Sequence, residues 1–159
     1  MHAPALYLDT SVIGGFFDEE WQDATRELFR LADLGLYQLK VSVVTAKEIM
    51  GAPPEVQSHF ANRFQDATNL LELTDEAETL AQAYLAAGVV TAKYADDARH
   101  IALATVYALH FIVSWNFKHL ANIKREAGFN AVNLLQGYPQ IRIVTPLQLL
   151  NQADEDQDL

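Results

Sequence analysis

Residues 94–116 read YADDARHIALATVYALHFIVSWN and join two patterns end to end. From residue 96 to 109, Ala98, Ile101, Ala102, Thr105 and Leu109 recur at helical spacing and form one stripe, the expected buried face. Residues 111–114 then form a short apolar run, the mark of a buried strand. The helix opens on two aspartates and leads into a strand that ends beside Asn116.

The same alternation extends in both directions. Residues 6–8 read as a strand that ends at Asp9, with Thr10 and Ser11 next and a glycine pair at 14–15. A helix is expected over residues 19–34, with Ala24, Leu28, Leu31 and Ala32 inward and Gly35 as its stop. Residues 39–44 are strand-like, Thr45 opens a second helical stretch, and residues 55–68 carry Val56, Phe60 and Phe64 at four-residue steps. A third strand is expected over 70–73, then a helix capped by Thr74 and ended by Gly88. Short helical turns follow Asn116, a fifth strand covers 141–144, and Thr145-Pro146 starts a last helix. Strands alternating with helices imply a mostly parallel sheet covered on both faces, with functional groups beyond the C-terminal strand ends.

The chain has 159 residues, half of them apolar, which suits one domain over 1–150. The acidic residues 151–159 are expected to be a flexible tail. Cysteine is absent, which excludes disulfides, thiolate metal sites and a cysteine nucleophile, and fits a cytoplasmic protein. No apolar run is long enough to span a membrane, and the N-terminus lacks the pattern of a signal peptide. A net charge of −10 argues against passive, non-specific binding to nucleic acid. Action on nucleic acid would need a local basic patch or metal ions at the acids.

Asp9, Glu48, Asp97 and Asn116 all fall at or near the expected C-terminal edge of the sheet. Carboxylates from distant segments repel one another unless a hard cation such as Mg²⁺ or Mn²⁺ holds them. Each also has a local explanation. Asp9 fits a turn or helix cap, and Thr45 with Glu48 fits a capping box. Asp96 and Asp97 suit the first turn of a helix. At about 100° per residue, Asp97 lies at the edge of the buried stripe and Asp96 points away from it, as a cap or an outer ligand. Asn116 fits a turn cap, although its amide oxygen could also contact a metal or orient an activated water in a catalytic role. His100 lies three and four residues after the two aspartates, where a hydrogen bond on the helix surface explains it. Lys118 and His119 follow Asn116 and could meet substrate, as could Thr10 and Ser11. Lys118, Lys124, Arg125, Lys93 and Arg99 form a basic surround that could hold phosphates. Phe16, Phe17 and Trp21 read as core residues or as a groove for a partner helix. Zinc spacings, a nucleophile elbow and a phosphate loop are missing, and Ser11 breaks the D-x-D pattern of a phosphoaspartate enzyme.

The segments YLDTSVIGG, TAKEI, YADDARHIALA and VSWNFKHLAN, in this order and spacing, resemble the PIN-domain family from about residue 5 to 146. The resemblance implies a three-layer α/β/α sandwich with a five-stranded parallel sheet, often as a homodimer. It implies a Mg²⁺- or Mn²⁺-dependent ribonuclease, in many relatives a VapC-like toxin that cuts RNA and is silenced by an antitoxin protein. The family's metal-binding acids map onto Asp9, Glu48 and Asp97, and its hydroxyl near the first acid onto Ser11. Its frequent fourth acid falls on Asn116, a departure that weakens any second ion. A catalytically weak binding module is the alternative.

Overall fold

The computed structural model describes residues 3–109 and 111–157, with residues 152–157 described by backbone alone. Strand β1 is Ala5–Leu8, followed by helices α1 (Thr10–Gly15) and α2 (Gln22–Asp33). Strand β2 (Gln38–Ser42) leads to α3 (Val43–Ile49) and α4 (Pro54–Arg63), and then to the two-residue strand β3 (Leu70–Leu71). Helices α5 (Asp75–Ala86) and α6 (Ala95–Val106) precede β4 (Phe111–Val113). Helix α7 (Ile123–Gln136), strand β5 (Arg142–Val144) and α8 (Pro146–Gln157) complete the chain.

All pairings in the sheet are parallel, in the order β3-β2-β1-β4-β5. The expected three-layer α/β/α sandwich with five strands is therefore the fold found. Alternation along β1 explains its two cores. Tyr7 points to a face shared with Leu80, Tyr84, Leu103 and Phe129 from α5, α6 and α7. Leu6 and Leu8 point to the other, shared with Leu28, Phe29, Val41 and Leu149. The strand order reverses at β1, so the C-terminal ends of β1 and β4 flank the topological switch point, where open sheets of this class form their crevice.

Several boundaries differ from the expectations. The helix expected over 19–34 starts at Gln22, because residues 10–15 already form α1. The second helix starts at Val43 rather than at Thr45. Ser42 is its cap: its Oγ accepts from the Val44 N–H at 3.1 Å, and its own N–H donates to Thr45 Oγ1 at 3.2 Å. Thr45 is thus the responding side chain of the box, and Glu48 is free of capping. Helix α7, a full 14 residues, stands where only short turns were expected. Gly128 and two asparagines, Asn130 and Asn133, blur its apolar stripe, yet Gly128 is what lets it dock. A Cβ there would stand 3.0 Å from Val89 Cγ1. Helix α8 continues to Gln157, through most of the expected tail; residues 158 and 159 lie outside the described residues. None of the helices is long and apolar enough to cross a membrane, among the described residues.

Ala108 ends α6 in the left-handed region, with φ +59°. The Leu109 N–H donates to Ala104 O at 2.8 Å, which closes the helix end as a Schellman turn. An L-residue with a Cβ is strained there, and glycine is not. Ala108→Gly is expected to stabilise the protein by about 0.5–1 kcal/mol, because relief of this strain exceeds the added freedom of the unfolded chain. Urea denaturation at equal m-value checks this.

Candidate active site

The first acid is built into the switch point. Asp9 directly follows β1, and its N–H continues the ladder by donating to Val113 O at 3.0 Å. Its carboxylate is almost fully buried, with 4% exposure. Two hydroxyls hold one of its oxygens: Ser11 Oγ and Ser114 Oγ each donate to Oδ2 at 2.8 Å. The Trp115 N–H donates to Ser11 Oγ, and the Asn116 N–H to Ser114 Oγ, both at 2.9 Å. These bonds tie the ends of β1 and β4 together around Asp9. Ser114 was not singled out in the sequence. Its place at the end of the strand beside β1 was the available signal.

The second acid comes from α3. Glu48 Oε1 accepts from Thr10 Oγ1 at 2.9 Å and lies 2.5 Å from His100 Nε2. The third comes from α6. Asp97 has no side-chain hydrogen bond among the described residues, and its carboxyl is pushed up to about 7. Burial is the main cause, and the nearby charge of Asp9 comes next; Glu48 and Asp96 push the same way, while His100 opposes them. Asp9, Glu48 and Asp97, separate in sequence, are thus within electrostatic reach of one another at one end of the sheet.

His100 corrects the sequence reading. It is not a residue of the helix surface: it is fully buried, at the centre of this group. Its Nε2 faces Glu48 and stands 3.6 Å from Asp9 Oδ1, and its Nδ1 lies 2.5 Å from the Tyr7 hydroxyl. Burial alone would lower its proton affinity. The Tyr7 oxygen and the carboxylates of Glu48 and Asp9 outweigh that and hold it well above the ordinary histidine range. The signal was the helical repeat itself, since a residue three positions after Asp97 shares its face.

Other expected site residues are placed differently. Asp96 is directed to Arg99, whose Nη1 donates to its Oδ1 at 2.7 Å; Arg99 also binds Glu78. Asp96 is therefore not among the converging side chains, and Arg99 is not available to substrate. Asn116 presents its backbone to the site, but its side-chain Oδ1 accepts the His119 N–H at 3.1 Å, so the amide caps a turn. His119 stacks on Tyr94, with ring centroids 3.7 Å apart. Partial desolvation, then Lys118, Arg125 and Lys93, lower its proton affinity, which places those three cations around it. Arg125 is itself engaged with Val89 O, and Lys118 and Lys124 are exposed. Phe16, Phe17 and Trp21 pack against the second core. Phe16 stacks on His59, and Trp21 stacks on Trp115.

No group of three or more His, Asp or Glu side chains stands in ready metal-holding geometry among the described residues. The donor set still suits a hard cation. Asp97 and Glu48 Oε2 carry no hydrogen bond among the described residues, and Asp9 keeps Oδ1 clear of its two serines. Asp97, raised first by burial and then by Asp9, is a carboxyl that a bound cation would hold ionised.

No family model and no curated protein matches the chain. Solved structures are similar over most of its length. FitAcB from Neisseria gonorrhoeae is 16% identical, covering 89% of this chain and 98% of that one, with a TM-score of 0.56. VapBC2 from Rickettsia felis, bound to a DNA fragment from their promoter, is 12% identical with the same coverages and TM-score. FitAB bound to the IR36 DNA fragment is 14% identical, covering 89% of this chain and 94% of that one, with a TM-score of 0.55. Identities this low speak to architecture, and the architecture agrees with the strand order, the switch point and the resemblance in the motifs: the chain has the PIN-domain fold.

Proposed function

We propose that the chain is a Mg²⁺- or Mn²⁺-dependent endoribonuclease, the toxin of a toxin-antitoxin pair. The observation that carries this reading is the convergence of Asp9, Glu48 and Asp97 at the switch point, with Asp97 pushed up to about 7 by burial and by Asp9. Those three residues would hold the cation. A bound divalent ion supplies a water of lowered pKa and neutralises charge on the scissile phosphate. Ser11 and Ser114 keep Asp9 Oδ2 fixed, so that Oδ1 is the oxygen left to offer. Thr10 and His100 do the same for Glu48 through Oε1. Lys93, Lys118 and His119, beside the start of α6, form the surface on which RNA phosphates would rest. RNA as substrate rests on the family resemblance. An antitoxin partner is supported by the likeness to FitAcB, VapBC2 and FitAB, and a homodimer remains part of the same reading.

A second reading has its own support. The Asn116 amide is engaged as a turn cap, and the acids do not form a ready metal-holding set among the described residues. These features favour a binding module of weak activity. One experiment separates the two. Assorted RNAs are incubated with the protein, with and without Mn²⁺, beside a Mn²⁺ titration followed by thermal unfolding. The nuclease reading expects cleavage that EDTA stops, and stabilisation by Mn²⁺ that Asp9→Asn abolishes. Cleavage that persists in EDTA contradicts it. Mn²⁺ binding without cleavage selects the binding module.

A further inference from the structure

The group around Glu48 contains a chain of contacts that metal-holding carboxylates alone do not require. Ser42 Oγ lies 2.8 Å from the Tyr7 hydroxyl, which lies 2.5 Å from His100 Nδ1, and His100 Nε2 lies 2.5 Å from Glu48 Oε1. The links come from the end of β2, from β1, from α6 and from α3. Tyr7, Ser42 and His100 are each 0% exposed, whereas the Glu48 side chain is 31% exposed. A buried chain thus ends on the one member that reaches solvent. With His100 protonated, both ring nitrogens donate: Nε2–H to Glu48 Oε1 and Nδ1–H to the Tyr7 hydroxyl, which in turn donates to Ser42 Oγ. Thr10 Oγ1 donates to the same Oε1 at 2.9 Å. Oε1 is therefore doubly held, and Oε2 has no hydrogen bond among the described residues.

We propose that His100 is a positioning residue, which fixes Glu48 through Oε1 and, braced by Tyr7 and Ser42, leaves Oε2 as the oxygen offered to a divalent cation. This deepens the nuclease reading and rests on it. Outer partners of metal ligands act in this way, and their loss costs about 10- to 100-fold in metal affinity. A purely structural role, in which His100 only fills the core, would affect stability and leave affinity unchanged.

Two isosteric variants separate these roles. His100→Gln keeps a donor near the position of Nε2, on Glu48, and loses the Tyr7 contact. His100→Asn keeps an amide near the position of Nδ1, on Tyr7, and loses Glu48. Free Mn²⁺ is counted by electron paramagnetic resonance during titration, and metal-free unfolding is measured beside it. Both variants are expected to unfold at lower temperature. His100→Gln should bind Mn²⁺ within about threefold of the parent, and His100→Asn about tenfold more weakly. Equal loss in the two variants, or parental affinity in His100→Asn, overturns the positioning role. A parent protein that binds no Mn²⁺ overturns the metal reading itself and this role with it, an outcome distinct from the first. Should His100→Asn fail to fold, Tyr7→Phe serves instead. It deletes one oxygen of the chain and is expected to weaken Mn²⁺ binding about threefold, and unchanged affinity counts against the proposal.

Discussion

Asp97→Asn is expected to remove RNA cleavage, by about 10³-fold or more, while making the metal-free protein more stable at neutral pH. The two effects have one cause. Folding buries the Asp97 carboxyl near Asp9 and raises it from an ordinary 3.8 to about 7. The native state therefore binds more protons than the unfolded state between those values. Stability from this group is fully present below about pH 4 and is lost as pH rises through about 7. At pH 8 the buried charge costs about 2 kcal/mol, less than the full linkage because the carboxyl is partly solvated. The amide carries no charge, so the variant should be more stable than the parent by roughly that amount at pH 8, and equal to it near pH 4. His100, also raised, loses stability in the same direction as pH increases, and that part stays in the variant. Urea denaturation at pH 4, 6 and 8 in EDTA checks the stability, and RNA cleavage in Mn²⁺ checks the activity. A variant no more stable than the parent at pH 8 would mean that neither burial nor Asp9 holds the Asp97 carboxyl raised. The same linkage makes Mn²⁺ binding to the parent tighten as pH rises through about 7, since a cation must displace the Asp97 proton.

The architecture was legible because its signals are local. Strand runs, caps at Thr74 and Thr145, and the glycine stops at 35 and 88 all lie within a few residues of the elements they bound. Thr74 Oγ1 does accept the Ala77 N–H, and Gly35 and Gly88 both have left-handed φ. The three acids were legible for a similar reason, since each stands at an element boundary on the same edge of the sheet. The rest depended on which partner a side chain finds. Thr45 and Glu48 fit a capping box in sequence, but Ser42, immediately before the helix, competes for Thr45 and releases Glu48 to the site. Asp96 and Asp97 are neighbours in sequence, yet Arg99 draws one away from the group that the other joins. His100 was missed because a surface partner one turn away seemed sufficient. Its actual partners, Tyr7 and Glu48, lie 93 and 52 residues distant in sequence. Helix α7 was obscured because Gly128 lowers helix propensity, while the benefit of that glycine is contact with Val89 on a different segment.

Gly15→Ala is the substitution outside the acidic group expected to do most damage, about 1–3 kcal/mol of stability together with loss of activity. A Cβ at residue 15 would stand 2.8 Å from both Trp115 Cδ1 and Trp115 Nε1, and 3.0 Å from Thr25 Oγ1. None of these can yield easily. The Trp115 ring stacks on Trp21 with centroids 4.4 Å apart, its Nε1–H donates to Thr25 Oγ1 at 2.9 Å, and the Thr25 hydroxyl donates to Trp21 O at 2.7 Å. Displacing the indole pulls on the backbone of residue 115, whose N–H binds Ser11 Oγ, and Ser11 binds Asp9. The clash is thus coupled to the first acid through two hydrogen bonds. Gly14, its neighbour, has nothing within 4 Å of an added Cβ, so Gly14→Ala is the matched control and should leave both stability and Mn²⁺ binding close to parental. Equal behaviour of the two variants in urea denaturation and Mn²⁺ titration would show that Trp115 moves freely, and that the aromatic stack does not brace the end of β4 against Asp9.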